Sequence, residues 1–374
     1  MVWVFVFGSA LIGVLVGLFY LISRTRRLWP FSKLKEKHKL LSWVAATVPL
    51  AALALFWYLL YNLFTMFVVI LHLMFIAILF ELIGFLVHKI TKKPRIYWLE
   101  SAAAILATTV VLCIGWHLAH AVRVTEYRFK TEKQLGGEPL RVVMFADSHL
   151  GITLDKTNFP KEMERVQAAN PDLVIIAGDY VDDDTEKDDM LAACAELGKL
   201  QTKYGVFFTY GNHDNGYFHY RNFSSQELRD ALTANNVTIL EDEAMLIDDR
   251  FYLVGRLDRT FEDRVSAQKL TEGLDTSKYI IMIDHQPNDY QNEAESGADL
   301  VLSGHTHGGH IFPAGQIGLL LGMNDRVYGT ERRGLTNFIV TSGISGWAIP
   351  FKTGTWSEFC IIDIEGPDYK YFAF

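Results

Sequence analysis

The pattern of apolar and polar positions divides the chain in two. In its first third the apolar residues run on with hardly a polar break, over Val2–Ile22, Leu41–Tyr61, Thr65–Val87 and Ser101–His120. Each run is about 20 residues, the length at which a helix spans a hydrocarbon core, so the pattern predicts a four-helix transmembrane region over residues 1–122. The second and third spans would form a tight hairpin around Asn62 to Phe64. Arg123 to Pro139 reads as a polar linker carrying one strand, Thr125–Phe129, and the Gly136-Gly137 pair. From residue 140 to 374 short apolar stretches alternate with amphipathic ones. Helices are predicted over Phe159–Ala169, Asp188–Lys203 and Ser225–Asn235, and strands over Val237–Leu240, Ala244–Ile247, Phe251–Val254, Asn337–Thr341 and Glu358–Ile364. The expected fold class is α/β, a mixed domain of roughly 240 residues behind a helical membrane region.

Charge sharpens the division. Residues 1–124 hold 12 Lys+Arg and 3 Asp+Glu, and the remainder 23 and 40. Arg24, Arg26, Arg27, Lys33, Lys35, Lys37 and Lys39 crowd the first connection, and Lys89, Lys92, Lys93 and Arg95 the third. Basic short loops stay in the cytoplasm, so an integral membrane protein with an extracytoplasmic carboxy-terminal domain is expected. Within the spans, Glu81 is expected to snorkel toward the basic loop at Lys89. An acidic domain argues against a nucleic-acid partner bound through its phosphates. The three cysteines, Cys113, Cys194 and Cys360, form neither a disulfide framework nor a thiolate zinc site.

The candidate chemistry lies where the buried strand patterns end. Val142-Val143-Met144 runs into Phe145-Ala146-Asp147-Ser148-His149, and Leu173–Ala177 into Gly178-Asp179-Tyr180-Val181-Asp182. Val206-Phe207-Phe208 precedes Gly211-Asn212-His213-Asp214, and Ile280–Ile283 precedes Asp284-His285. Leu300-Val301-Leu302 leads into Gly304-His305-Thr306-His307-Gly308-Gly309. Strands that end in carboxylate, imidazole or amide side chains are how an α/β sheet builds a site at the carboxyl ends of its strands.

These five motifs, in this order over about residues 140 to 365, resemble the calcineurin-like metallophosphoesterase superfamily, in particular its membrane-anchored predicted phosphohydrolases. The resemblance implies a metallophosphoesterase β-sandwich flanked by helices and two divalent ions. Asp179 would bridge them, with Asp147, His149 and His307 completing one and Asn212, His285 and His305 the other. Carboxylate, imidazole and amide ligands suit Mn, Fe or Zn. The resemblance also implies that His213 contacts phosphate and protonates the leaving oxygen, with Asp214 orienting its ring. Asp182 would support the metal shell, and Asp183 and Asp184 would be solvated loop.

Two departures from the family pattern matter. His310 stands where glutamine is usual, as a further substrate-binding candidate or a residue facing water. Gly315–Met323 is unusually apolar, either a hairpin packed on the sheet or, with the aromatic run Tyr217-Phe218-His219-Tyr220, a surface that meets the bilayer or an acyl chain. Arg326, Arg332 and Arg333 are either surface arginines or a second anion site. The expected function is a membrane-bound dinuclear-metal phosphoesterase acting on a phosphomonoester or phosphodiester, in a lipid or cell-envelope substrate. The alternatives are a pyrophosphatase of a nucleotide-linked lipid such as UDP-diacylglucosamine, which a cytoplasmic domain would support, and a non-catalytic metal or phosphate sensor.

Overall fold

A computed structural model describes residues 2–135, 138–217 and 221–367. Gly136-Gly137 and Phe218, His219 and Tyr220 of the aromatic run lie outside the described residues. The chain separates into two compact units, residues 1–115 and 116–374.

The first unit holds α1 (Val2–Thr25), α2 (Phe31–Lys37), α3 (Lys39–Leu60), α4 (Leu63–Thr91) and most of α5 (Tyr97–His120). By length and composition α3, α4 and α5 can each cross a membrane. The first predicted span is helical throughout as α1, and the side chains described from Leu11 onward make an apolar helix to Thr25. The hairpin predicted at Asn62 is present, its side chain accepting the Thr65 N–H as the cap of α4. Val14, Leu21, Leu50, Ile70, Leu73 and Met74 pack α1, α3 and α4 together. Glu81 meets the third basic connection through Arg95, and the first as well. Its carboxylate is engaged by Arg24, Arg27 and Arg95 and by the Tyr20 hydroxyl at 2.8 Å. Arginines from both basic connections fold back on it, the guanidinium fork matching carboxylate geometry.

The second unit adds β1 (Arg123–Lys130), β2 (Leu140–Phe145), α6 (Phe159–Ala168), β3 (Leu173–Ala177), α7 (Lys187–Leu197), β4 (Gly205–Thr209), α8 (Ser225–Ala234) and β5 (Val237–Ile239). There follow β6 (Glu243–Ile247), β7 (Phe251–Gly255), α9 (Ala267–Thr271), β8 (Tyr279–Ile283), α10 (Tyr290–Glu295) and β9 (Leu300–Ser303). The chain closes with α11 (Ala314–Leu320), β10 (Gly329–Arg333), β11 (Thr336–Val340) and β12 (Glu358–Glu365). Two six-stranded sheets form, in the orders β1-β12-β2-β3-β4-β5 and β10-β11-β9-β8-β7-β6.

Alternation along the strands explains the layers. Val142, Met144, Leu173, Ile175 and Phe207 face Leu253, Ile281, Ile283, Leu300 and Leu302 between the sheets. Their neighbours Val143, Phe145, Val174, Ile176 and Phe208 face outward onto Phe159, Met163, Met190, Leu197 and Leu228 of α6–α8. Ile280, Met282 and Val301 likewise face α9 and α10 through Ala267, Leu270 and Tyr290. Strands buried on both faces read as continuous apolar runs, which is why they stood out in the sequence.

Three boundaries differ from expectation. The strand assigned to the linker is a full edge strand, paired parallel to β12 from Arg123↔Glu358 to Lys130↔Glu365. Tyr127 and Phe129 pack against the inter-sheet core and tie it there. Helix α7 ends at Leu197 with Gly198 as cap, six residues early, and Thr202 then caps the turn into β4 by accepting the Gly205 N–H. The apolar stretch predicted as a hairpin is the helix α11. Pro313 precedes it, and Gly322, at φ +66°, closes it with the Met323 N–H on the Gly318 carbonyl. That pairing of a left-handed glycine with a six-to-one bond ends helices, not hairpins.

Candidate metal centre

The carboxyl ends of β2, β3, β4, β8 and β9 deliver the candidate residues to one place. The chain turns sharply as it leaves these strands, and Asp147, His149, Asp179, His305 and His307 all have left-handed backbone, with φ between 34° and 69°. Non-glycine residues hold that conformation only where surrounding structure imposes it. Part of the imposing structure is Asp214. Its carboxylate accepts the backbone N–H groups of Asp179 (2.9 Å), Tyr180 (2.8 Å), Val181 (3.1 Å) and Gly211 (2.7 Å), stitching the loop after β3 to the loop after β4. Gly178, at φ +82°, passes so close that a Cβ would lie 2.5 Å from His285 Nδ1.

Second partners on three imidazoles decide where their protons sit. His149 Nδ1 faces Asp182 Oδ2 at 3.0 Å, His285 Nδ1 the Ala177 carbonyl at 2.7 Å, and His307 Nδ1 the Ser345 carbonyl at 3.3 Å. Each partner can only accept, so Nδ1 carries a proton, and in the neutral ring Nε2 presents a lone pair. Those lone pairs converge. The Nε2 atoms of His149 and His307 are 3.2 Å apart, and His307 Nε2 is 3.7 Å from Asp147 Oδ1. The Nε2 atoms of His149 and His285 lie 3.6 and 3.0 Å from Asp179 Oδ2. Buried His285 Nε2 faces the Asp179 carboxylate. Acceptors gathered this tightly repel one another unless a cation lies among them, and held Nδ1–H groups are the usual support of histidine metal ligands. The donor atoms of Asp147, His149 and His307 lie within 4.8 Å of one another, as do those of Asp179, His285 and His305. His305 Nδ1 is 2.8 Å from Asn212 Oδ1, which brings the amide to the second group. Nitrogen and oxygen donors without thiolate fit Mn, Fe or Zn.

The electrostatics follow from burial and crowding. Burial pushes Asp147 up to about 6, against the pull of His285. Asp179, which burial would also raise, is instead held well below the ordinary carboxylate value by His285 and His213. Burial together with His285 drives His305 down to about 4.

His213 lies at the rim. Its backbone N–H donates to Asp179 Oδ1 at 2.8 Å, and its Nδ1 pairs with Asp182 Oδ1 at 2.9 Å. The expectation that Asp214 orients this ring is therefore corrected. Asp214 is consumed by backbone N–H groups, and Asp182 holds both His213 and His149. Burial would lower His213, but Asp179 and Asp182 raise it to about 9. Asp183 is not solvated loop either. It is buried and accepts the Tyr217 N–H at 3.0 Å, whereas Asp184 is exposed. His310 stacks on the His307 ring, centroids 5.2 Å apart, with its Nε2 buried and without a hydrogen bond. It adjoins the centre instead of facing water. Arg326 and Arg333 both pair with Glu331.

Sequence reasoning missed several supporting residues. Trp347 and Tyr217 flank the His213 ring at 5.5 and 4.9 Å. Lys352, fully buried, donates to the carbonyls of Ser342 (2.7 Å), Gly343 and Trp356 (3.3 Å each). It thereby pins the loop whose Gly343 packs against Asp147. Only Tyr217, within a noted aromatic run, carried a sequence signal.

Comparison with known proteins matches this sequence to one family. A model of calcineurin-like phosphoesterases matches residues 140–309. An uncharacterized metallophosphoesterase of Aquifex aeolicus is 30% identical over 259 residues, covering 66% of this chain and 92% of its own. One from Campylobacter jejuni is 32% identical over 236 residues, covering 61% of this chain and 59% of its own. A Danio rerio transmembrane protein with metallophosphoesterase domain is 28% identical over 278 residues, 69% of this chain and 61% of that protein. The chain thus spans about three-fifths of the Campylobacter and Danio relatives.

Proposed function

The chain belongs to the calcineurin-like phosphoesterase family, and from that premise we propose that it is a membrane-bound, dinuclear-metal phosphohydrolase. Its substrate is a phosphomonoester or phosphodiester in a lipid or cell-envelope molecule, and its catalytic domain faces away from the cytoplasm, as the basic connections between spans support. The observation that carries the reading is the convergence of the His149, His285 and His307 lone pairs on Asp147 and Asp179.

Asp179 lies between the two donor groups and is assigned as the bridge. Asp147, His149 and His307 would hold one ion, and Asn212, His285 and His305 the other, with Mn, Fe or Zn as the ions the donors suit. Bound there, a pair of divalent ions supplies a nucleophile at neutral pH and neutralises charge on the attacking and leaving oxygens. Asp182 accepts the Nδ1–H of His213, and Asp179 and Asp182 together favour the doubly protonated ring, whose outer Nε2–H would go to the leaving oxygen. Tyr217 and Trp347 beside the ring restrict water and position the ester.

The test is hydrolysis of an aryl phosphomonoester and an aryl phosphodiester by the full chain with Mn²⁺, beside Asp179→Asn and His213→Ala. Metal-dependent turnover that collapses in both variants is expected. Metal-loaded protein that turns over neither ester would instead favour the sensor.

A further inference from the structure

Helix α11 presents a large apolar surface. Ile317, Leu319, Leu320 and Leu321 are exposed to 50, 44, 86 and 63%, and Phe312, just before the helix, to 61%. Single exposed apolar side chains are ordinary, but five within the ten residues 312–321 mark a contact surface.

Neighbouring contacts bear on what covers it. The backbone at the foot of α11 is clasped by one segment. Thr353 and Gly354 donate N–H groups to the His310 carbonyl at 3.0 and 2.9 Å, and the Phe312 N–H donates to Thr353 Oγ1 at 3.2 Å. Three residues on, Ser357 holds the last turn of α5, its N–H on the Leu118 carbonyl at 2.9 Å and its Oγ on the Ala119 carbonyl at 2.7 Å. Three residues of chain reach at most about 11 Å. The apolar helix and the end of a helix long enough to span a bilayer are therefore neighbours on one rim of the domain. Between them Trp356 carries the Arg123 guanidinium over its ring at 4.9 Å, the aromatic and cationic pairing found at headgroup depth. His307 and His310 lie immediately before α11, so the candidate metal centre adjoins the same rim.

We propose that α11 and Phe312 form a membrane-docking element. Leu320 and Leu321 enter the headgroup–acyl boundary of the bilayer that α5 leaves, and the centre takes its phosphoester from a lipid of that leaflet. The inference deepens the lipid-substrate reading and rests on it for its purpose.

The experiment uses the full chain in phosphatidylcholine nanodiscs, with Cys113→Ser to remove the exposed thiol; Cys194 and Cys360 are buried. Leu320→Cys carries a bimane label. The control is Leu335→Cys, 81% exposed in the turn between β10 and β11, at the far end of β11 from the centre. Spin-labelled phosphatidylcholine, with its nitroxide near the headgroup, is expected to remove most of the emission at position 320 and little at 335. Equal emission with and without the spin label at position 320, or equal loss at both positions, overturns the docking. Aryl-ester turnover by the same nanodiscs is read separately. Quenching without turnover leaves the docking standing and defeats the enzymatic reading, while turnover without quenching does the reverse.

Discussion

Asp182 bridges two imidazoles, so Asp182→Asn tests the site's architecture more sharply than loss of a ligand would. Its oxygens sit 3.0 Å from His149 Nδ1 and 2.9 Å from His213 Nδ1, and both rings point a donor at it. Asparagine offers one acceptor and one donor. The ring that meets the amide N–H must move its own proton to Nε2 or rotate away. In His149 that shift removes the lone pair directed at Asp179, and in His213 it removes the support of the proposed proton carrier. A hydrogen bond to a charged group is worth roughly 1.5–3 kcal/mol. At 1.4 kcal/mol per tenfold, that corresponds to a loss of about 10–100-fold, which also matches the usual cost of removing a metal ligand's outer partner. The assay is Mn²⁺ affinity by calorimetry beside kcat on an aryl ester. The loss should fall on affinity if His149 yields and on kcat if His213 yields. Asp184→Asn, exposed, should change neither, and Asp214→Asn should lower Tm because four backbone N–H groups lose a charged acceptor. Wild-type affinity and kcat in Asp182→Asn would refute the reasoning.

Two further outcomes follow from packing and burial. Gly304→Ala would place a Cβ 2.5 Å from Ala146 Cβ and 2.7 Å from Asp147 Oδ2. Roughly 1–3 kcal/mol of overpacking is expected, with weakened Mn²⁺ binding, and an unchanged Tm and affinity would contradict it. Glu293, fully buried beside Arg256, is pushed by burial up to about 7 from 4.5, with Arg256 opposing. A raised folded pKa means its contribution is full below pH 4.5 and is lost as pH rises through about 7. Glu293→Gln should therefore gain in Tm on wild type across that window, and a difference that stays flat with pH would sink the assignment.

The strand ends were legible because β2, β3, β4, β8 and β9 are buried on both faces and read as unbroken apolar runs stopping at charged or amide side chains. The pairing of His213 was not. Asp214 is its neighbour along the chain, but in the turn after β4 the two side chains diverge, one to backbone donors and one to the metal rim. Asp182 reaches His213 only because β3 and β4 pair parallel with Ile176 opposite Phe208, a long-range register that no local spacing encodes. Trp347 and Lys352 enter through an irregular loop between β11 and β12 and leave no periodic trace. The form of α11 was legible in principle from Pro313 and Gly322, but its apolar content suits a packed hairpin equally well, and composition alone does not choose.

The central claim is that one carboxylate-bridged pair of ions occupies the ends of these strands. The most direct measurement is metal content after saturation with Mn²⁺ and removal of free ion, for the full chain and for Asp179→Asn. Two equivalents per chain in the wild type, with loss of both or of the second ion in the variant, is the result expected. A single equivalent in the wild type, or two retained without the Asp179 carboxylate, would contradict the bridged centre.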